Sequence, residues 1–328
     1  MRVLVTGLTG FVGSHLADFL LAQGGVELYG TERIFSNDET LAKIRRRARL
    51  YVCDVCDAEQ VKSLVEEVLP DRIFHLAAQT FVPVAWQKPQ ETLTTNVAGA
   101  LNLFEVVRRL GLQPTIVIVG SSEQYGAVLP SEIPITEDVP FRPLNPYGVS
   151  KAAQDLLGYQ YHRSFGLKII RIRGFSHTGP RQKEGFAASN FARQIALIEA
   201  DRQEPVIYVG NLDTVRDFTD VRDMVRAYWL AGEKGMPGEV YNVCSGVGRT
   251  IQEIMDIYLK HSRVKFKVEK DPERVRSSDI PIVIGDSTKF RRQTGWQPAI
   301  PFERTLLDLL NDWREKIAVT AVQTKISR

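Results

Sequence analysis

Tyr147 and Lys151 stand four residues apart in the stretch Asn145-Pro146-Tyr147-Gly148-Val149-Ser150-Lys151. On a helix that spacing stacks two side chains on one face. Asn145 suits an N-cap and Pro146 the first helical position, so the sequence predicts a helix that begins here with Tyr147 in its first turn. The positive end of the helix favours phenolate, and an ammonium one turn on favours it further, so a depressed tyrosine pKa is expected. Such a phenol can hand a proton to a carbonyl oxygen that is receiving hydride, or take one back. An isolated Tyr-x-x-x-Lys also fits a surface tyrosine beside a solvated lysine, so the surrounding elements must decide.

Those elements alternate. Arg2 to Thr6 reads as a buried strand, followed by Gly7-Leu8-Thr9-Gly10-Phe11-Val12-Gly13 and the helical pattern Leu16, Phe19, Leu20. In a strand–turn–helix context these glycines permit a tight turn, close backbone approach to a pyrophosphate, and close helix packing. Further strands are read at Glu27 to Gly30, Leu50 to Cys53, Ile73 to His75, Thr115 to Val119 and Leu167 to Arg173. This rhythm predicts an α/β fold with a parallel, doubly wound sheet. Ligands of such sheets lie beyond the carboxyl ends of the strands, where Gly7, Ala77, Ser121 and Tyr147 converge. After Arg173 the alternation loosens, with helices over Ser189 to Glu199 and Ile251 to Leu259 and a last helix from Phe302 to Ile317, beyond which a frayed polar tail is expected.

An acidic residue closing the second strand would take the ribose hydroxyls of NAD. Here that place falls on Gly30, with Thr31, Glu32 and Arg33 following. The nearby arginine tilts the reading to NADP(H), and Glu32 keeps NAD(H) open as the alternative.

Composition sets outer bounds. The chain has 328 residues, 44% hydrophobic and 25% charged, with a formal net charge of +3. That charge gives no argument for nucleic acid or an acidic membrane surface. No apolar run is long enough to span a bilayer, and no signal peptide is read at the N-terminus. Three cysteines make no disulfide framework, so a reducing cytoplasm is expected. Cys53 and Cys56 are read as a buried apolar pair, and the basic run Arg45-Arg46-Arg47 as a solvated helix face. The histidines show no metal-ligand spacing, so no metal is expected.

Taken together, Gly7/Gly10/Gly13, Asp54-Val55, His75-Leu76-Ala77-Ala78, Asn96-Val97, Ser121 and Tyr147/Lys151 occur in an order and at separations that carry a family resemblance. The chain resembles an extended short-chain dehydrogenase/reductase acting on nucleotide sugars, over nearly its whole length to about Pro298. Within that family it is most similar to the GDP-mannose branch, on Gly210-Asn211-Leu212-Asp213, Arg216-Asp217 and Arg276-Ser277-Ser278-Asp279-Ile280. That branch contains the reductases of GDP-4-keto-6-deoxy-D-mannose, which form GDP-D-rhamnose, and the GDP-mannose 4,6-dehydratases. Segments 1–173, about 215–245 and 280–290 are then expected to form an NAD(P)-binding Rossmann domain. Segments 174–214, 246–279 and 291–328 would form a nucleotide-sugar-binding domain.

The resemblance implies residue roles. Ser121, Tyr147 and Lys151 would be catalytic, with Glu123 at the place where dehydratases keep the glutamate that abstracts the C5 proton. Gly7, Thr9, Gly10, Phe11, Val12, Gly13, Arg33, Asp54, Val55, Leu76, Ala77, Ala78 and Asn96 would line the cofactor together with Tyr147 and Lys151. Thr80, Ser122, Glu123, Ser176, His177, Arg181, Arg216, Arg276 and Asp279 would meet the GDP-linked hexose. The implied reaction is NADPH-dependent reduction of a C4 ketone, with 4,6-dehydration as the alternative and a catalytically silent dinucleotide-binding protein as a third reading. Where the family carries Asn-His this chain has Ser176-His177, and its Arg-Pro-x-Glu pattern stands as Arg276-Ser277-Ser278-Asp279. A homodimer through helices on the flank of the sheet is expected by resemblance.

Overall fold

Short runs of β-branched and aliphatic residues, apolar toward both faces, form the centre of the molecule. In the computed structural model, which describes residues 1–34, 41–272 and 280–326, they make a seven-stranded sheet. Its strands are β1 (Arg2–Thr6), β2 (Glu27–Glu32), β3 (Arg49–Val52), β4 (Arg72–His75), β5 (Thr115–Ser121), β6 (Ile169–Gly174) and, after three strands that lie elsewhere, β10 (Val240–Val243). The three are β7 (Ser176–Thr178), β8 (Val206–Val209) and β9 (Val215–Asp220). All pairings in the large sheet are parallel, in the order β10-β6-β5-β4-β1-β2-β3. The chain winds outward from β1 through β2 to β3, then returns to β4 and winds the other way. Strand order therefore reverses between β1 and β4, and a crevice opens beyond their carboxyl ends.

Helices cover both faces, as a parallel sheet requires. In chain order they are α1 (Phe11–Gln23), α2 (Ala42–Arg45), α3 (Ala58–Val68), α4 (Val82–Gln87), α5 (Pro89–Leu93), α6 (Gly99–Arg109), α7 (Pro146–Phe165), α8 (Ala187–Glu199), α9 (Val221–Lys234), α10 (Ile251–His261), α11 (Thr288–Thr294) and α12 (Phe302–Ile326). Leu16 and Leu20 of α1 and Met224 and Tyr228 of α9 pack on Val3, Val5 and Ile172 of one face. Leu64 of α3, Phe104 of α6 and Tyr161 of α7 pack on Leu4, Ile73 and Ile118 of the other. A separate core joins α8, α10 and α12 through Ile195, Met255, Leu309 and Leu310. Beside it lie the small sheets of β9 with β7, β11 (Gly248–Thr250) and β13 (Ile282–Val283), and of β8 with β12 (Lys267–Lys270).

Two expectations are corrected, those for the end of β2 and for the last helix. β2 runs on past Gly30 to Glu32, because Thr31 and Glu32 pair with Tyr51 and Val52 of β3. The helix around Asn96 is interrupted by a π-helical stretch, Thr94–Ala98. The last helix continues past Ile317 to Ile326, since no glycine or proline follows to stop it.

Candidate active site

The crevice begins at the turn after β1. Gly7 has φ of 72°, in the left-handed region that glycine enters without penalty. A Cβ on Gly13 would overlap the Gly7 and Leu8 carbonyls, so only glycine lets α1 pack this closely on the turn. Thr31 Oγ1 accepts from the Gly7 amide at 3.0 Å, and Gly10 N donates to Gly7 O at 3.1 Å. Gly10 is the N-cap of α1 and provides no side-chain cap, leaving the N–H groups around Thr9, Phe11 and Val12 for a ligand. Across the crevice, Thr6 Oγ1 accepts from both Leu76 N and Ala77 N at 3.2 Å. Its own proton therefore goes to His75 Nδ1, 2.9 Å away. This pins the Leu76-Ala77-Ala78 loop against Gly7.

At the end of β2, Arg45 makes two bonds to the buried Glu32 carboxylate, at 2.9 and 2.7 Å. Glu32 is thus committed inside, and Arg45 is no solvated charge. Arg33 is 66% exposed, with Glu91 at 4.0 Å. Asp54 Oδ1 accepts from Cys56 N, and Val55 packs beneath Gly99. Cys53 is buried, while Cys56 is only half-buried. Asn96, expected at the cofactor, is fully buried, and its amide bonds Gln79 N, Gln79 O and Ser150 Oγ. Its part in the site is therefore indirect: it ties the loop after β4 to α7.

The start of α7 follows its sequence. Asn145 Oδ1 accepts from Gly148 N at 2.8 Å, and Pro146 takes the first helical position. Ser121 ends β5 and accepts from Glu123 N on its hydroxyl oxygen, capping a single 3-10 turn over Ser122–Gln124. The Ser121 hydroxyl lies near the Tyr147 phenol, close enough to pull its pKa down. Glu123 Oε2 accepts from Asn145 Nδ2 at 2.8 Å.

The expected depressed tyrosine pKa is wrong for the free protein. Burial pushes the Tyr147 phenol up to about 12, against the downward pull of the Ser121 hydroxyl and with Glu123 adding to the rise. Burial likewise brings Lys151 down to about 7. Its Nζ donates to Val119 O at 2.8 Å and Gln154 Oε1 at 2.9 Å. Desolvation outweighs the helix dipole and the neighbouring ammonium here.

The substrate candidates scatter more. Ser176 and His177 lie on β7; the His177 ring stacks on Phe11 at 6.1 Å, and its Nδ1 donates to Phe175 O. Ser122 is buried and Thr80 exposed beside the crevice. Arg216 lies on β9, and Asp217 beside it accepts from Ser245 N, Gly246 N and Gly285 N. Arg181 departs from expectation: its guanidinium binds Asp18 at 2.6 Å and His15 at 3.0 Å on α1, which leaves it clasping a loop to the helix. Arg276 and Asp279 lie outside the described residues. Among the described residues no cluster of His, Cys, Asp or Glu could hold a metal, and no helix is long and apolar enough to cross a membrane.

Sequence reasoning missed two participants. Gln124 and Asp155 join the Ser121 turn to α7 beneath the surface; the available signal was the position of Asp155, eight residues after Tyr147 on the same helix face.

A doubly wound sheet with a glycine turn at its switch point and a Ser–Tyr–Lys group at its edge defines a Rossmann-type dehydrogenase/reductase. The pattern of the GDP-mannose 4,6 dehydratase family matches residues 4–309, and the chain belongs to that family. It is 34% identical to GDP-6-deoxy-D-mannose reductase of Pseudomonas aeruginosa, over 96% of this chain and 98% of that one. GDP-mannose 4,6 dehydratase 2 of Arabidopsis thaliana is 30% identical over 97% of this chain and 89% of its own. Among solved structures, RMD from Pseudomonas aeruginosa complexed with NADPH superposes with a TM-score of 0.84 at 33% identity, covering 96% of this chain and 99% of that one. Thermus thermophilus UDP-glucose 4-epimerase complexed with NAD gives 0.84 at 29% identity, again over 96% and 99%.

Proposed function

We propose that this protein reduces the C4 ketone of GDP-4-keto-6-deoxy-D-mannose to GDP-D-rhamnose with NADPH. The observation that carries the reading is the approach of Ser121, at the end of β5, to Tyr147, with Lys151 one turn further along α7, beside a dinucleotide crevice. The crevice fits the cofactor: the left-handed glycine turn, the uncapped first turn of α1 and the pinned loop after β4 leave backbone free for a pyrophosphate. Gly7, Thr9, Gly10, Phe11, Val12 and Gly13 would hold the pyrophosphate. Asp54, Val55, Leu76, Ala77 and Ala78 would flank the adenosine half, Arg33 would meet a 2′-phosphate, and Lys151 the nicotinamide ribose. When bound, the nicotinamide supplies the hydride.

Tyr147 delivers the proton to the C4 oxygen. Its raised pKa keeps it protonated at neutral pH, as a proton donor must be. Ser121 donates a hydrogen bond where negative charge develops on that oxygen. Arg216 and Arg276 are assigned to the diphosphate, where a guanidinium fork matches phosphate oxygens, and Asp279 to a ribose hydroxyl. The segments around the large sheet form the cofactor domain and those around α8, α10 and α12 the sugar-nucleotide domain. The protein is assigned to the cytoplasm as a homodimer. Val149 and Leu156 are 44% and 57% exposed, seven residues apart on α7, and support a helix-mediated contact that light scattering would test.

A second reading, GDP-mannose 4,6-dehydratase with tightly bound NADP, is favoured by Glu123, whose carboxylate Asn145 holds beside Tyr147. One experiment separates the two. The protein is incubated with GDP-mannose alone, then with the 4-keto-6-deoxy product plus NADPH. Oxidation of NADPH only with the ketone supports the reductase; loss of water from GDP-mannose without added reductant overturns it in favour of the dehydratase.

A further inference from the structure

Tyr147, Lys151 and Asp155 follow one another at intervals of four, so one face of α7 carries all three. Asp155 is 2% exposed, yet it is a carboxylate. Arg171 NH1 donates to its Oδ1 at 2.7 Å, and Arg173 Nε to its Oδ2 at 2.9 Å. Arg173 is held in turn by donating to Tyr125 OH at 2.9 Å and to Glu137 O at 2.8 Å. Asp155 Oδ2 accepts one more bond, from Gln124 Nε2 at 3.1 Å. The other end of that amide, Gln124 Oε1, accepts from Ser121 N at 3.2 Å.

The chain of contacts runs without a break from the backbone of Ser121 to the helix that carries Tyr147. Gln124 is fully buried, and both ends of its amide are fixed. The same turn is pressed against α7 elsewhere, since a Cβ on Gly148 would overlap Glu123 O. A glutamine side chain thus sets the distance between two hydroxyls that belong to different elements.

We infer that Gln124, anchored by Asp155 and its two arginines, is a positioning residue that holds the Ser121 hydroxyl in register with Tyr147. It touches neither substrate nor cofactor and acts only through Ser121. The inference rests on the proposed reduction for its kinetic arm and on amide exchange for an arm that needs no substrate.

The test is a double-mutant cycle of Gln124→Met with Ser121→Ala, read as kcat and KM for the ketone, NADPH affinity, thermal midpoint and hydrogen exchange. Gln124→Met lowers kcat by about tenfold to a hundredfold, the scale of an ångström-sized misplacement, while NADPH affinity stays within about twofold. In the Ser121→Ala background the same change costs less than about threefold, because residues acting as one unit are not additive. Exchange of the amides over 120–124 speeds up in Gln124→Met while the second half of α7 is unchanged. An equal loss of kcat in both backgrounds overturns the inference, as does unaltered exchange at 120–124 in a folded variant. If Ser121→Ala leaves ketone reduction intact, the role given to Ser121 is what fails; if the wild-type protein does not reduce the ketone, the proposed function fails, and the exchange arm still decides the coupling.

Discussion

The Asn145 amide nitrogen donates to Glu123 Oε2 at 2.8 Å while its oxygen accepts from Gly148 N. One side chain starts α7 and aims the carboxylate in front of it. Removing it acts twice. Asn145→Ala loses an N-cap, worth about 1 kcal/mol, and releases Glu123. Glu123→Gln keeps the cap and changes only the carboxylate. With the ketone and NADPH in deuterated water, Glu123→Gln should retain reduction within about threefold and carry no deuterium at C5 of the product. Wild-type product that contains C5 deuterium would then report proton abstraction by Glu123. Deuterium in the Glu123→Gln product would remove that residue from the exchange.

Tyr147 and Lys151 should separate by pH. The phenol, up at about 12, stays protonated through the neutral range, so it gives no limb to the reductive rate there. Tyr147→Phe should lower turnover on the order of two to four decades at every pH with NADPH binding kept. Lys151, brought down to about 7, changes charge in that range. Its cationic form favours the anionic cofactor, so NADPH should bind more tightly below pH 7 than above it. Fluorescence titration at pH 6 and pH 8 tests this, and Lys151→Met should flatten the difference. A wild-type affinity independent of pH would contradict the assignment of Lys151 to the cofactor.

The start of α7 was legible because Asn145 and Pro146 are local signals, read from neighbours in the chain. The glycine turn and the alternation of strands were legible for the same reason. What escaped depends on distant partners. Gln124 meets Asp155, 31 positions away, and Arg181 reaches Asp18, 163 positions away. Asn96 looks like a cleft residue until its amide is seen bonded to Gln79 and Ser150. The Tyr147 pKa failed differently: its position in the helix was right, but burial depends on everything packed around it. The end of β2 was misplaced because its last two residues owe their strand conformation to β3, not to their own propensity.

Cofactor choice should rest on Arg33. Glu32, the carboxylate that would serve a ribose in an NAD enzyme, is bonded to Arg45 and 3% exposed. Arg33 next to it is open to solvent and reaches no closer than 4.0 Å to Glu91. A charge-assisted bond to a 2′-phosphate is worth about 1.5–3 kcal/mol, so Arg33→Ala should weaken NADPH about tenfold to a hundredfold. NADH binding should change by less than about twofold. Competitive titration of the two cofactors checks it, and equal losses for both would place Arg33 away from the 2′ position.

Acid should loosen the clasp between α1 and the loop after β7. His15 Nε2 donates to Pro180 O at 2.8 Å, and its Nδ1 accepts from Arg181, so the ring is neutral. Burial, with Arg181 beside it, brings its pKa down from 6.5 to about 4. Above pH 6.5 the ring is neutral folded and unfolded alike, and nothing is lost. As pH falls from 6.5 toward 4 the unfolded chain takes up the proton first, so folded stability declines across that window. The full loss from this residue is on the order of 3 kcal/mol. His75, brought down to about 3, and His177, also lowered, act in the same direction. Urea unfolding at pH 7.5 and pH 4.5 measures the decline, and His15→Gln, which keeps a donor for Pro180 O but cannot titrate, should show a smaller one. Parallel declines in the two proteins would mean that His15 is not protonated on unfolding and that the clasp is insensitive to acid.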